Sequence, residues 1–406
     1  MTDQSTTAGP LAGIRILEVA NWLAAPAGCA LLADAGADVI KVEPPTGDAY
    51  RGYRAQAGGY FAPFNFAFEL DNRGKRGITL DLDNPSARHL IYRLIGDCDV
   101  FVTNLLAGRR GRYGLNYDDL KAYRPDLIFV SVTGYGSWGP DRNRPGYDYA
   151  AFWARSGIMN LLGEPESPPP PQRPGMGDHT TALAVSGAVS MALFHRERTG
   201  KGEQIDVSLN NTGLWVLGID VQSALSTGQE NARVSRRSVP NPIWNSYQTG
   251  DGRWIQLVML VADVYWPKLC RAVGRSDLED DPRFDSMPKR TENRKELIAL
   301  LDDVFAQRPL EDWTTRLDGE GCIWAPAQTI SEAINHPQTL ARKAFAEIEH
   351  PTHGRIRLVD TPVKFSDAQV SVRGPAPELG QHTEEVLLGA GYGWDEIAKL
   401  RESGVL

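Results

Sequence analysis

The 406-residue chain has little of what marks metal centres, disulfide frameworks or membrane spans. Its four cysteines, Cys29, Cys98, Cys270 and Cys322, are widely scattered and form no CxxC pair. That spacing excludes a zinc ribbon or a thioredoxin-type motif and predicts buried free thiols in a reducing cytoplasm. The seven histidines show no HExxH spacing, so no metal is expected. No apolar run is long enough to span a bilayer. The first residues, Met1-Thr2-Asp3-Gln4-Ser5-Thr6-Thr7, lack both a basic and an apolar signal region and read as a short disordered tail. A net charge of -8 argues against a nucleic-acid or membrane-surface partner, so any anionic ligand must be met by local basic residues. The fingerprint GxGxxG is also missing. The turn after the first predicted strand reads Ala24-Ala25-Pro26-Ala27-Gly28, which disfavours a nicotinamide dehydrogenase.

What is present describes a globular protein, with 42% hydrophobic and 23% charged residues. The length exceeds one ordinary core, so two domains are expected. Gly13–Ala20 reads as a buried strand, Ala27–Ala35 as a small-residue helix and Asp38–Glu43 as a second strand. Together they make a βαβ unit, which implies a parallel sheet. The alternation continues through strands at 77–82, 99–104 and 127–132, helices at 85–95 and 117–123, and a sixth strand at 204–209. Such a pattern indicates a doubly wound α/β domain, whose ligands sit beyond the carboxyl ends of the strands. That rule gathers Asn21 to Ala24, Leu80, Asn104, Leu105 and Gly134 to Gly136 near one crevice. A helix is expected over 149–162, followed by a stiff proline-rich spacer at 165–171. Composition shifts near residue 225. Residues 226–245 read as a linker or mobile loop before a smaller α+β domain with a strand at 254–260 and helices at 264–274 and 292–307. The tail is assigned a helix at 338–346, strands near 354–359 and a final helix at 394–402.

The densest chemical signal is Pro174-Gly175-Met176-Gly177-Asp178-His179-Thr180-Thr181, which opens a long helix reaching about Arg198. One reading makes Asp178 or Thr180 a helix N-cap. The other makes Asp178 a carboxylate nucleophile. Gly175 and Gly177 would then clear space for a substrate, and helix-start amides would face the developing charge.

In order and spacing, several segments match a known family. They are Gly13 to Val19, Gly36 to Glu43, Asn72 to Asp81, Gly177-Asp178, Gly200 to Ser208 and Leu379 to Thr383. On these segments the chain resembles the class III CoA-transferases, the family of formyl-CoA transferase and α-methylacyl-CoA racemase, over nearly its whole length. The resemblance implies a Rossmann-like domain at 10–225, a small α+β domain at 226–330 and a return to the large domain at 331–406. It also implies a ring-like subunit forming an interlocked homodimer, and CoA as substrate with no tightly bound cofactor. Matched residue by residue, it makes Asp178 the catalytic aspartate. It sets Arg112 and Tyr113 at the adenine and phosphate end, Leu80, Asn104 and Leu105 in the nucleotide crevice, and Trp22, Leu23 and Ala24 along the pantetheine arm. Tyr135 is a further candidate contact. Arg73, Lys75 and Arg76 form a basic cluster that either helps bind phosphate or lies on a solvated surface.

Departures from the family pattern narrow the activity. Racemases carry a histidine where Tyr147 stands in Pro145-Gly146-Tyr147-Asp148. A tyrosine phenol ordinarily titrates far above neutral pH and is a poor proton shuttle there. Asp148 reads as structural. Formyl-CoA transferases carry glutamine at Leu23, a CoA-contacting lysine at Asp83, a tryptophan near Tyr53 and a glycine run at Val239 to Asn245, where Trp244 becomes a candidate lid. The reading that follows is transfer of CoA between an acyl-CoA and a free acid. The alternatives are an isomerase of the same family, either a racemase or an intramolecular CoA transferase, and a non-catalytic CoA-binding protein.

Overall fold

The computed structural model describes residues 9–53 and 62–406; the tail expected at Met1–Thr7 lies outside them. The chain forms two compact units. The first is drawn from Met1–Met159, Pro171–Gly228 and Ala341–Leu406, the second from Asn160–Pro170 and Gln229–Leu340.

In the first unit, β1 (Arg15–Val19), β2 (Asp38–Glu43), β3 (Arg76–Thr79), β4 (Val100–Thr103), β5 (Ile128–Thr133) and β6 (Glu203–Ser208) form one sheet in the order β3-β2-β1-β4-β5-β6. Every pairing is parallel. This is the doubly wound order, with its switch point between β1 and β4. Because side chains alternate along a strand, each strand feeds both faces. Leu17, Val19, Ile40, Val42, Phe101 and Phe129 join one core. Ile16, Val39, Val100, Val102, Ile128 and Val130 join the other. A sheet covered on both faces needs apolar residues at consecutive positions, which is why these strands read as continuous hydrophobic runs.

The first face is covered by Ala87–Gly96 and by the C-terminal helices Thr383–Gly389 and Trp394–Glu402, which return to the sheet through Val386, Leu387 and Ile397. On the second face, α1 (Ala24–Asp34) packs closely against a long helix over Met176–Thr199. A Cβ at Gly28 would come within 2.8 Å of Val185, so the small residues of α1 permit the approach. Phe345–His350 and Gly354–Val359 make a separate antiparallel pair.

The second unit has an antiparallel sheet of Ser246–Gln248, Trp254–Leu257 and Trp324–Pro326. Its core is aromatic, with Tyr247, Trp266, Phe305 and Trp313 buried together.

Several expected boundaries move. The first helix begins at Ala24, three residues before the expected start. The expected helix at 149–162 is a π-helical turn over Tyr149–Ala154 followed by a separate turn at Ile158–Leu161. The helix expected at 338–346 covers only Pro337–Ala341, and Phe345 already belongs to a strand. Residues 226–245 are not a free linker. Within them Asn241 donates to the Met259 carbonyl, Asn245 donates to the Arg236 carbonyl, and Arg236 pairs with Asp302 at 2.8 Å.

Apolar side chains also face outward. Leu183, Met191 and Phe194 are exposed along the long helix. Nearby in sequence, Leu209–Val216 and Gly218–Thr227 present Trp215 at 82% and Ile219 at 88% exposure, and the latter helix buries no residue at all.

Candidate active site

The loops after β1 and β4 meet at the switch point, and Asn104 ties them together. Its Oδ1 accepts from the Asn21 amide at 3.1 Å and its Nδ2 donates to the Asn21 carbonyl at 2.6 Å. Beyond them opens a cavity of about 80 Å³, lined by residues that include Leu80, Leu105, Tyr113, Asp83, Arg109 and Glu43. Of the residues expected in the nucleotide crevice or at its adenine end, Leu80, Leu105 and Tyr113 line this cavity, and Asn104 supports it without lining it. Arg112 stands outside, paired with Asp83 at 2.6 Å, and the Tyr113 hydroxyl donates to the same carboxylate at 3.0 Å. Tyr135 is not in this cavity; its ring lies 5.7 Å and 5.6 Å from the guanidinium groups of Arg144 and Arg155.

From the cavity the chain runs directly into Trp22, whose φ of 65° is strained for so large a residue. The conformation is held by Asp48, whose two carboxylate oxygens accept the Trp22 amide at 3.1 Å and 3.2 Å. Asp48 is in turn fixed by Lys41 at 3.0 Å. The Trp22 ring meets Tyr147 edge-on at 5.5 Å and lies 6.0 Å from Tyr50. Leu23 and Ala24 then begin α1, and Leu23 would touch a Cβ at Gly175 at 3.3 Å. The starts of α1 and of the long helix thus adjoin.

Asp178 is not a cap. The long helix starts at Met176 with Gly175, at φ 77°, in the capping position, so Asp178 occupies the third helical position. The capping acceptor comes from elsewhere in the chain. Asp148 takes the amides of Gly175 and Gly177, the Tyr149 amide at 2.8 Å and the Gln172 side chain at 2.5 Å. Two amides expected to face a reacting acyl group are therefore already engaged. The glycines also serve packing: a Cβ at Gly177 would lie 2.5 Å from the Phe152 ring, and one at Gly175 would crowd His179 and Leu23.

Electrostatically the helix start is unusual. Burial raises Asp148, and its four donors partly offset that. Asp178 is pushed up to about 8, first by burial and then by the charge of Asp148, with His179 acting in the opposite sense. Donors stabilise a carboxylate, so they favour Asp148 as the anion of the pair. His179 Nε2 lies 2.9 Å from Asp71 Oδ1, and the Tyr50 hydroxyl donates to Asp71 Oδ2 at 3.0 Å. Burial alone would lower His179, but Asp71 and Asp178 outweigh it and raise it.

The expected basic cluster is neither a phosphate site nor a solvated surface. Arg73 is buried on Asp34 at 2.7 Å, Lys75 is buried on Glu18 at 2.7 Å, and Arg76 pairs with Asp38 at 2.6 Å. Lys41 also binds Glu18, at 3.1 Å, so a charged network runs beneath the site. Asp71, His179, Tyr50 and Asp48 carry no signal of their own in the sequence. Only the position of His179 directly after Asp178 marks it for attention.

The model of CoA-transferase family III matches residues 11–383. The chain belongs to CoA-transferase family III. It is 30% identical over 400 residues to the (R)-2-hydroxy-4-methylpentanoate CoA-transferase of Clostridioides difficile, covering 98% of this chain and 99% of that one. It is 32% identical over 394 residues to the cinnamoyl-CoA:phenyllactate CoA-transferase of Clostridium sporogenes, covering 96% and 95%. Among solved structures, a CAIB/BAIF family protein from Brucella suis aligns with a TM-score of 0.82 at 32% identity, over 94% of this chain and 100% of that one. This family III CoA-transferase therefore acts on CoA thioesters. Among its described residues no group of histidine, cysteine and carboxylate side chains is arranged to hold a metal, and no helix is long and apolar enough to cross a membrane.

Proposed function

We propose that the enzyme moves CoA from an acyl-CoA to a free carboxylic acid through covalent intermediates on Asp178. The observation that carries this reading is a partly buried carboxylate, uncapped and raised to about 8, at a helix start adjoining the strained Trp22 turn that leads from the switch-point cavity. Asp178 attacks the thioester carbonyl, and the C–S bond breaks to release CoA thiolate and leave a mixed anhydride. The thiolate attacks the aspartyl carbonyl, releasing the donor acid and forming an aspartyl-CoA thioester. The acceptor carboxylate attacks that thioester and displaces the thiolate, which then takes the acceptor acyl group from the second anhydride and frees Asp178. Covalent catalysis divides the exchange into steps of similar energy. Thioester is exchanged for thioester, so no ATP is required, and exclusion of water protects each anhydride.

In this reading CoA places its adenine end in the cavity lined by Leu80, Leu105 and Tyr113, with Arg112 at its edge. Its pantetheine arm follows Trp22, Leu23 and Ala24 toward Asp178. The relatives named above act on a branched aliphatic hydroxy acid and on aromatic acids. The aromatic surroundings of Trp22, Tyr50 and Tyr147 favour an acid of medium size. We further propose a homodimer, interlocked as in the family pattern; the exposed apolar side chains of Phe194, Trp215 and Ile219 are its candidate contacts. Four free cysteines support a reducing, cytoplasmic setting.

The test is to mix the protein with a panel of acyl-CoAs, quench with hydroxylamine and map peptides by mass spectrometry. A hydroxamate at Asp178, absent from Asp178→Ala, is the expected result. CoA binding without any adduct would remove the covalent route. A requirement for a second acid separates transfer between molecules from transfer within one dicarboxylate.

A further inference from the structure

The proposed chemistry has an electrostatic difficulty. A nucleophile must be an anion, yet Asp178 shares its corner with the carboxylate of Asp148, which has claimed the Gly175 and Gly177 amides. Something must favour a second negative charge there. Four titratable groups face Asp178 or its neighbours in the described residues. Asp148 stands just before the π-helical turn, Asp71 and Tyr50 lie in the segment before β3, and His179 belongs to the long helix itself. Arg73 acts on His179 but is itself committed to Asp34. Lys41 and Lys75 are committed to Glu18.

Resting on the covalent reading above, we propose that His179, fixed by Asp71 and Tyr50, is the positioning residue whose positive charge eases the ionisation of Asp178 beside Asp148. The geometry fixes the ring of His179 directly beside Asp178 in the chain. Asp71 is buried, and both its oxygens are used, one by the Tyr50 hydroxyl at 3.0 Å and one by His179 Nε2 at 2.9 Å. A carboxylate held this way orients the ring and favours the imidazolium. The other ring nitrogen, Nδ1, is turned toward Gly175, 3.2 Å from where a Cβ would stand there. The glycine thus leaves room for the charged edge of the ring at the helix start. A glutamine would fill the volume of His179 without supplying the charge, and a lysine would supply the charge on a different shape.

The consequence is a set of opposed charges on one nucleophile. Asp148 and, to a smaller extent, Asp71 shift the ionisation of Asp178 toward higher pH, and His179 shifts it toward lower pH. None of them needs to touch the substrate for this effect.

The experiment reads Asp178 directly, without a cognate substrate. Carbodiimide with glycine ethyl ester couples protonated carboxyls, and peptide mass spectrometry follows the modification of Asp178 from pH 5 to 9. In His179→Gln the midpoint should move up by about one pH unit, a tenfold change in the protonation equilibrium. In His179→Lys it should stay near that of the unaltered protein, and in Asp148→Asn it should move down. Circular dichroism and thermal melting confirm that each variant is folded. Unchanged midpoints in folded variants would overturn the proposal. So would a His179→Lys midpoint that follows His179→Gln, because shape rather than charge would then be responsible. These outcomes are independent of the covalent route. Lack of any Asp178 adduct with acyl-CoAs would sink that route while leaving this titration readable, and an Asp178 adduct with unmoved midpoints would sink only the present inference.

Discussion

The two ends of the candidate site handle charge differently. At the proposed nucleotide end, Arg112 and Asp83 form their pair in water, each with more than half of its side chain exposed. At the proposed reaction end, Asp71 and Asp148 are buried, Asp178 is partly buried, and Asp178 is displaced far from its ordinary ionisation. Water screens the first pair and makes it replaceable, whereas burial gives Asp71 and Asp148 large leverage on their neighbours. Binding can therefore be retuned cheaply at one end. Chemistry at the other is fixed in place at a cost to stability.

The sharpest separation of the two ends is Asp178→Ala. Loss of the proposed nucleophile should reduce transfer by at least roughly 10⁴-fold, while CoA affinity measured by calorimetry stays within a few-fold. Equal losses in both would show that Asp178 serves binding instead of reaction.

Next in size is the network beneath both ends. Burial by itself would raise Glu18, but Lys75 and Lys41 outweigh it and lower it. Lys75 also donates to the carbonyls of Pro26 and Asp71 and to Asn72, stitching α1 to the segment before β3. Lys75→Met leaves part of Glu18 uncompensated and should destabilise the fold by about 3–5 kcal/mol in denaturant unfolding. A loss below about 1 kcal/mol would mean that Lys41 alone satisfies Glu18.

A smaller effect carries a pH signature. The folded carboxyl of Asp178 binds its proton up to about pH 8, against an ordinary value of 3.8. The folded state therefore holds the extra proton between those values. Stability from this group is complete below the lower value and drains away as pH rises through the upper one. Asp178→Asn does not titrate. It should melt higher than the unaltered protein by about 5 °C at pH 8, with the gap closing toward pH 4. A gap that is constant with pH would place the strain in packing instead of charge.

These properties were unevenly legible in the sequence. The parallel sheet was readable because strands buried on both faces must be apolar throughout, as Leu127-Ile128-Phe129-Val130 is. The final helix over Trp394–Glu402 also stands where the sequence reading put it. Helix starts were less so. Met176 follows a glycine with positive φ whose capping acceptor, Asp148, lies 27 residues upstream of it, beyond any local rule. The basic run Arg73-Gly74-Lys75-Arg76 looked like one patch, but strand alternation and a glycine turn send its members to Asp34, Glu18 and Asp38. Asp71 and His179 are 108 residues apart, and a single sequence holds no trace of that meeting.

The gentlest perturbation tests the exposed end. Asp83, which stands where the resemblance puts a lysine in formyl-CoA transferases, lines the cavity while holding both Arg112 and Tyr113. A phosphate arriving there meets a carboxylate and a guanidinium already neutralised by it. Exposed pairs of this kind are worth at most about 1 kcal/mol, so the phosphate can displace Asp83 from Arg112 at modest cost. Asp83→Asn removes both that cost and the repulsion. It should tighten CoA binding about three-fold at low salt, less at high salt, and it should leave the Asp178 titration untouched. Weaker CoA binding in Asp83→Asn would reverse the assignment. Asp83 would then act by holding Tyr113 and Arg112 in their binding positions, and the exposed end would be as preorganised as the buried one.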